Sequence, residues 1–388
     1  MKFIPYGRQN ISNEDINSVI EVLRSPIITQ GDVISTFEEI VSNYVNSKYG
    51  VAVNSATSGL HLACLAMDLK PGDWLWTSPN TFVASANCGI YCGANIDFVD
   101  IDQKTGLIDI DFLKEKLLQA KIAGKLPKII VPVHFAGSSC DMAEIKNLSD
   151  KYGFKILEDA SHAIGGKYMG EPIGNCKYSD ITVFSFHPVK IITTGEGGMC
   201  LTNNKEYARR MRNLRTHGIT KDVNFFQQKS PSPWSYEQQE LGFNYRLTDF
   251  QAALGISQMK KLDLFVIERH RIWKIYQNLL KDLPISLLDI PNNVYSSLHL
   301  CVIYFNVFNT KFHELVFKKL RTAGIGVQVH YIPVHLQPFY KDKGFKEGYL
   351  PESEKFAHNV LSIPLYPSLE DNEQRYVVEV LKKSINAK

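Results

Sequence analysis

Phe184-Ser185-Phe186-His187-Pro188-Val189-Lys190-Ile191-Ile192-Thr193-Thr194-Gly195-Glu196-Gly197-Gly198 is the stretch on which the reading of the fold turns. An aromatic-rich apolar run, 180–186, reads as a strand. A lysine follows it, and a glycine-bearing turn leads into a second short strand at 199–202. Lysines usually decorate surfaces. Between a buried strand and a tight turn, an amine would lose hydration, its pKa would fall, and it would become nucleophilic. Taken alone, a lysine so placed is more often structural, and Gly-Glu-Gly-Gly by itself signals only a turn.

Toward the N-terminus, short apolar segments alternate with helical patterns. Strand candidates are 50–53, 74–78, 96–99, 128–133 and 154–158, each bounded by Gly, Pro, Asp or Asn. One helix begins near Thr57, with Leu60, Ala63, Cys64 and Met67 on one face; others cover 111–122 and 141–151. This alternation predicts an α/β fold with a mostly parallel central sheet flanked by helices. Gly166–Gly174 interrupts it with a short hairpin. Residues 248–283 read as one long helix. Strands at 297–306 and 325–331, with a helix at 310–323 between them, predict a smaller C-terminal α/β domain. The boundary is placed at 255/256, giving 1–255 with the N-terminal arm and 256–388. Segment 341–354 reads as a loop.

Two more segments sit at strand ends. Asn54-Ser55-Ala56-Thr57-Ser58-Gly59 follows a strand and opens a helix, where free N–H groups and the helix dipole suit a phosphate. Plain capping by Ser55 or Thr57 explains the same residues. Ile156-Leu157-Glu158-Asp159-Ala160-Ser161-His162 places two carboxylates where open α/β sheets bind ligands. An Asp there can hold a protonated ring nitrogen of a cofactor, or serve a turn. His162 alone reads as a structural histidine.

Composition narrows the function classes. The 388 residues are 44% hydrophobic and 21% charged, with a formal net charge of +3. That is an ordinary globular balance. It is too weakly basic to argue for nucleic acid or an anionic membrane. Arg209, Arg210, Arg212, Arg215 and the pair Lys260, Lys261 read as solvated helix faces. The seven cysteines form no Cys-x-x-Cys pair, which suits free buried thiols in a reducing compartment. Cys88 and Cys92 could share a helix face, but two thiols make a poor zinc site, and no metal is expected. Met1–Asn10 has no apolar signal core, and no run of about 18 apolar residues occurs. A cytoplasmic protein is expected.

In combination, four ordered blocks resemble the sugar aminotransferases of the DegT type, members of the aspartate-aminotransferase group of pyridoxal-phosphate enzymes (fold type I). The blocks are Asn-Ser-Ala-Thr-Ser at 54–58, Glu-Asp-Ala-Ser-His at 158–162, the lysine block, and Gly-Phe-Asn-Tyr-Arg-Leu-Thr-Asp at 242–249 followed by Gln251-Ala252-Ala253. The resemblance covers nearly the whole chain. It implies pyridoxal 5'-phosphate, with Lys190 as Schiff-base lysine and proton shuttle and Asp159 on the pyridinium nitrogen. Phe82 would stack on the ring. Ala56, Thr57 and Ser185 would hold the phosphate. His162 would sit near the ring hydroxyl, where many relatives carry Gln. Asn244 would reach the phosphate of a partner subunit in a homodimer.

For the substrates, the resemblance implies L-glutamate as donor and a nucleotide-linked keto sugar as acceptor. Tyr6, Ile27, Ile28 and Thr29 would contact the sugar nucleotide from one side, and Gln328, Val329, His330 and Tyr331 from the other. The subgroup most resembled aminates UDP-4-keto-6-deoxy-N-acetylhexosamines on the pseudaminic-acid route, which makes UDP-2-acetamido-2,6-dideoxy-β-L-arabino-hex-4-ulose the expected acceptor, with another nucleotide-linked keto sugar, a 3-keto sugar or a different hexose, as the alternative. Related sugar dehydratases carry His where Lys190 stands. A non-catalytic, regulatory relative would not need Lys190, Asp159 and the phosphate block together.

Overall fold

The computed structural model describes residues 3–229, 232–306 and 310–386, so Met1 and Lys2 of the N-terminal segment lie outside the described residues. Nine strands occupy the first half: β1 (Tyr49–Val53), β2 (Trp74–Thr77), β3 (Asn95–Phe98), β4 (Ile129–Val131), β5 (Lys155–Asp159), β6 (Lys167–Tyr168), β7 (Glu171–Pro172), β8 (Ile181–Ser185) and β9 (Gly198–Thr202). Seven of them form one sheet in the order β1-β9-β8-β5-β4-β2-β3. From β8 to β3 the neighbours run parallel. β9 runs antiparallel to both β8 and β1. The expected mostly parallel sheet is therefore present with one reversed strand. The reversal goes with the connection: residues 186–197 carry no crossover helix and turn straight back, so β9 returns antiparallel to β8.

β4, β8 and β9 are buried along their whole length, which is why they read as unbroken apolar runs. On one side, helix Ala56–Ala66 packs Leu60, Ala63 and Cys64 against Val183 and Cys200. On the other, Phe37 and Val41 of helix Asp32–Val45 meet Phe184, Phe186 and Met199. Helices Ile110–Ala123 and Met142–Tyr152 complete the flank over β4. β6 and β7 form the expected hairpin. The C-terminal part has its own antiparallel sheet of Ile285–Leu287, Cys301–Phe305 and Val360–Ile363. Its core includes Tyr276, Ile303, Leu320 and Val377. All seven cysteines are free and buried. Among the described residues no helix is long and apolar enough to cross a membrane.

Several local readings change. The helix read at 248–283 is two helices, Asp249–Met259 and Leu262–Leu280, divided at Lys260 and Lys261. The basic faces are only partly solvated. Nζ of Lys261 lies 2.5 Å from the fully buried Asp15 carboxylate, and Arg215 reaches Glu38 at 2.5 Å and the Ala52 carbonyl at 2.6 Å. Long side chains on these faces find acceptors on the N-terminal helices. Residues 325–331 do not form a strand. They make only isolated bridges, Ile325 to Ile4 and Gln328 to Ser362, because the chain leaves the small sheet and the Tyr331 and Val334 N–H groups bond to Asn80 Oδ1 and the Pro79 carbonyl. The polar 341–354 segment includes the start of a helix, Pro351–Ala357, whose first-turn N–H groups at Glu352 and Ser353 donate to Asp100.

Candidate active site

The carboxyl ends of β1, β2, β4, β5 and β8 open onto one cavity of about 950 Å³. Its floor comes from Asn54–Ser58 after β1, Thr81–Ala84 after β2, Val133 after β4, Asp159, Ser161 and His162 at the end of β5, Ser185 at the end of β8 and Lys190 beyond it. Gln328–Ile332 and Tyr6 form the opposite wall. The N-terminal segment is pinned for this by backbone bonds from Ile4 N–H to the Gly324 carbonyl and from Leu365 N–H to the Tyr6 carbonyl.

Helix Ala56–Ala66 begins at this floor. Ser55 caps it, its Oγ accepting from Ser58 N–H at 3.1 Å, while Ser58 Oγ donates to Asn54 Oδ1 at 2.6 Å. The capping reading of this motif is thus realised, yet it consumes only the third amide. The Ala56 and Thr57 amides have no acceptor within the helix, and both residues line the cavity. Gly198, first residue of β9 and register partner of Val53, backs this turn. A Cβ on Gly198 would lie 2.7 Å from the Ala56 nitrogen. The glycine run and the helix start are therefore two sides of one close-packed cradle that leaves two helix amides free at the cavity floor.

Asp159 is 5% exposed. Its Oδ2 accepts from Ser85 Oγ at 2.6 Å; its Oδ1 accepts from Ser161 Oγ at 2.6 Å and Ser161 N–H at 3.1 Å. Glu158 lies on the other face of β5, as strand alternation demands. It binds His134 Nε2 at 2.6 Å and Thr182 Oγ1 at 3.0 Å. Of the two carboxylates, only Asp159 reaches the cavity. Ser85 was not visible as a site residue in the sequence, since it lies far from Asp159 along the chain on helix Ala84–Tyr91. Ser161 could have been found: a side chain bonding the backbone two residues on is a frequent Asp turn.

Part of the Lys190 side chain borders the cavity, but its surroundings are dense. Burial pushes its amine down to about 8, with nearby Asp159 working in the opposite direction. His162 is buried, with Nε2 3.2 Å from the Tyr331 hydroxyl and Nδ1 without a protein partner. Burial first, then Lys190 and His330, push its pKa well below the ordinary value, so the ring is neutral. His330 is pushed down to about 3 by burial and by Lys190. Its Nδ1 lies 2.8 Å from Ser362 Oγ, and its ring stands edge-on to Tyr6.

The structure thus brings Tyr6, Ala56, Thr57, Phe82, Asp159, His162, Ser185, Lys190, Gln328, Val329, His330 and Tyr331 to one cavity. Phe82, 60% exposed, stands at its mouth. Ile27, Ile28 and Thr29 are not brought there. They lie exposed outside the cavity because the loop is tied to the start of helix Asp249–Met259: Asp249 N–H donates to the Ile28 carbonyl, Thr29 bridges Thr248, and Gly31 N–H donates to Asp249 Oδ2 at 2.8 Å. Asn244 does not line its own chain's cavity either. It is exposed and bridges Thr216, while the adjacent Tyr245 carbonyl accepts from Asn54 N–H. His187, Glu196, Ile332 and Gln337 also line the cavity and carried no signal beyond their neighbours.

Residues 9–382 match the DegT/DnrJ/EryC1/StrS aminotransferase family. The chain belongs to this family. It is a pyridoxal-phosphate-dependent sugar aminotransferase. This aminotransferase is 39% identical over 382 residues to the UDP-4-amino-4,6-dideoxy-N-acetyl-beta-L-altrosamine transaminase of Campylobacter jejuni, covering 97% of this chain and 96% of that one. Among solved structures it resembles Helicobacter pylori PseC, an aminotransferase involved in the biosynthesis of pseudoaminic acid, with a TM-score of 0.88, 30% identity and 99% of each chain covered. It also resembles the putative sugar aminotransferase Spr1654 of Streptococcus pneumoniae in its PMP form, with a TM-score of 0.90, 29% identity and 98% and 99% of the two chains covered. The residues present in the aminotransferase fit pyridoxal phosphate. A helix start with two free amides suits its phosphate, a held carboxylate suits a ring nitrogen, a half-buried, desolvated amine suits its carbonyl, and the unpartnered His162 Nδ1 offers a further polar contact.

Proposed function

We propose that this aminotransferase moves an amino group from L-glutamate to the 4-keto carbon of UDP-2-acetamido-2,6-dideoxy-β-L-arabino-hex-4-ulose, a step toward pseudaminic acid, as a cytoplasmic homodimer. The observation that carries the reading is the convergence of Lys190, its amine held near 8, with Asp159 and the two-amide cradle in one cavity. The Campylobacter transaminase and PseC support the choice of acceptor.

Pyridoxal phosphate, when bound, supplies a carbonyl carbon that carries the amino group and a ring that takes up the electron pair left at the donor's α-carbon. The chain's residues do the rest. Ala56, Thr57 and Ser185 hold the phosphate. Asp159 keeps the ring nitrogen protonated, because a nearby carboxylate favours the charged form. Lys190 Nζ takes the proton from the α-carbon of glutamate and, in the second half-reaction, returns one to the sugar's former keto carbon. An amine near 8 is unprotonated in an appreciable fraction at neutral pH, as a base in that role requires. Neutral His162 offers an uncharged hydrogen-bonding ring to the cofactor's hydroxyl. Tyr6, Gln328, Val329, His330 and Tyr331 receive the sugar nucleotide. Asn244, exposed and outside its own cavity, serves the phosphate of the partner's site.

The test is an absorbance scan of the purified protein before and after L-glutamate, repeated with Lys190→Ala. The expected result is a visible band that glutamate bleaches and that the variant lacks, followed by amination of the 4-keto sugar. A protein with no such band after adding pyridoxal phosphate would sink the reading. A band with turnover of only another keto sugar would sink the choice of acceptor.

A further inference from the structure

The hydroxyls behind Asp159 have a directed arrangement. Ser85 is fully buried, and its Oγ lies 2.6 Å from Asp159 Oδ2. Thr81 Oγ1 lies 2.7 Å from the same Ser85 Oγ. An ionised carboxylate only accepts, so the single Ser85 proton is committed to Asp159, and Thr81 must be the donor to Ser85. The two O–H groups therefore point the same way, and each polarises the next. The Phe82 carbonyl is also within reach of Ser85 Oγ, but at 3.4 Å; the short bond goes to Asp159. With Ser161 giving two donors to Oδ1, three of the roughly four lone-pair sites on the carboxylate are occupied by the protein. One is left for an incoming N–H.

We propose that Ser85, backed by Thr81, is a positioning residue that fixes the free lone pair of Asp159 and determines how firmly that carboxylate keeps a proton on the cofactor's ring nitrogen. The inference rests on the cofactor assignment above. The donors hold the carboxylate in one orientation, so its remaining lone pair stays aimed at a proton carried by the ring nitrogen. The same five-residue segment, Thr81 to Ser85, carries Phe82 at the cavity mouth, and Ser85 N–H donates to the Phe82 carbonyl. The ring that would cover the cofactor and the relay that would orient its acid partner are thus built on one turn.

The experiment uses full-length wild type, Ser85→Ala and Thr81→Val, each reconstituted with pyridoxal phosphate labelled with ¹⁵N in the ring. The readouts are the ring-nitrogen chemical shift against pH, the cofactor dissociation constant and the thermal midpoint. Ser85→Ala is expected to bind the cofactor about tenfold more weakly, and its ring nitrogen to lose its proton about one pH unit earlier, with the visible band retained. Thr81→Val, which keeps the side-chain volume, is expected to move both readouts the same way by about threefold. A shift curve and dissociation constant in Ser85→Ala identical to wild type would overturn the proposal. If Ser85→Ala fails to fold, an unchanged Thr81→Val overturns it instead. Wild type that takes up no labelled cofactor would overturn the cofactor reading itself, a result distinct from either.

Discussion

The Tyr331 hydroxyl lies 3.2 Å from Nε2 of His162, tying the C-terminal wall of the cavity to the segment that carries Asp159. Because His162 Nδ1 has no protein partner, this bond is the ring's one protein contact of that kind among the described residues. Tyr331→Phe keeps the ring volume and leaves both imidazole nitrogens unpaired. The expected cost is about 1–3 kcal/mol of stability, read as a lower urea midpoint with an unchanged slope. An unchanged midpoint would show that the contact holds nothing together.

Lys190 gives a pH signature. Its amine is protonated in folded and unfolded chains below about pH 8. Between about 8 and the ordinary value of 10.5, the folded chain has lost that proton while the unfolded chain keeps it. The unfolded state then binds more protons, so stability rises with pH through this window, by roughly 1.4 kcal/mol per pH unit. Cofactor-free wild type should gain on Lys190→Met between pH 8 and about 10. A constant gap between the two unfolding curves would mean that the amine is not desolvated.

For Asp159→Asn, the prediction separates folding from chemistry. Of the carboxylate's three donors, two are hydroxyls that can turn to serve an amide, and the third, Ser161 N–H, can still bond to an amide oxygen, so the fold should survive. An amide cannot stabilise a positive ring nitrogen as a carboxylate does. Single-turnover conversion by glutamate should fall by about 10²-fold with the circular dichroism spectrum unchanged. Wild-type turnover in the variant would remove Asp159 from the site.

Gly198→Ala places a methyl group 2.7 Å from the Ala56 nitrogen and 2.8 Å from the Ser55 carbonyl carbon, both backbone atoms. The cradle must open to admit it. Equilibrium dialysis should show pyridoxal phosphate affinity down by about tenfold, with inorganic phosphate competing less well than in wild type. Equal affinity would show that the first-turn amides are not where the phosphate binds.

Arg215→Met breaks the 2.5 Å contact with Glu38, a carboxylate that also accepts from Ala52 N–H inside β1. Arg212 stays 3.6 Å from the other Glu38 oxygen, so the charge is only partly uncompensated and the cost is about 1–3 kcal/mol. Chemical denaturation should show a loss of that order, partly recovered when Glu38→Gln is added. A loss of stability that the second change fails to recover would place the cost in packing rather than charge.

How much of this could be read in advance depends on whether the cause was local. The β8–Lys190–β9 block was legible because a strand end, a lysine and a glycine turn are adjacent in sequence. The parallel strands were legible because burial on both faces leaves continuous apolar runs. The Asp159 side of the site was half legible: Ser161 sits two residues away, but Ser85 arrives through packing of helix Ala84–Tyr91 and leaves no trace near residue 159. The segment 325–331 has strand-like composition, yet its backbone is claimed by Asn80 and Pro79. Ile27–Thr29 were placed by resemblance; Asp249 and Thr248 tie that loop outside the chain's own cavity, through contacts distant in sequence. Helices Asn13–Arg24 and Asp32–Val45 were not read from the sequence at all. Their anchors, Lys261 to Asp15 and Arg215 to Glu38, are long-range ion pairs with no local pattern.

The pairing of Val53 with Gly198 has a consequence for how the protein is made. A nascent chain emerging from the ribosome presents the β1 turn early, but the backbone wall behind that turn belongs to β9. Every residue through Lys190 can be synthesised while the cradle still lacks its back. Vitamin capture is therefore tied to completion of the large sheet, and a ribosome-stalled fragment ending before β9 should fail to retain pyridoxal phosphate, whereas one extending well past Thr202 can build the cradle wall.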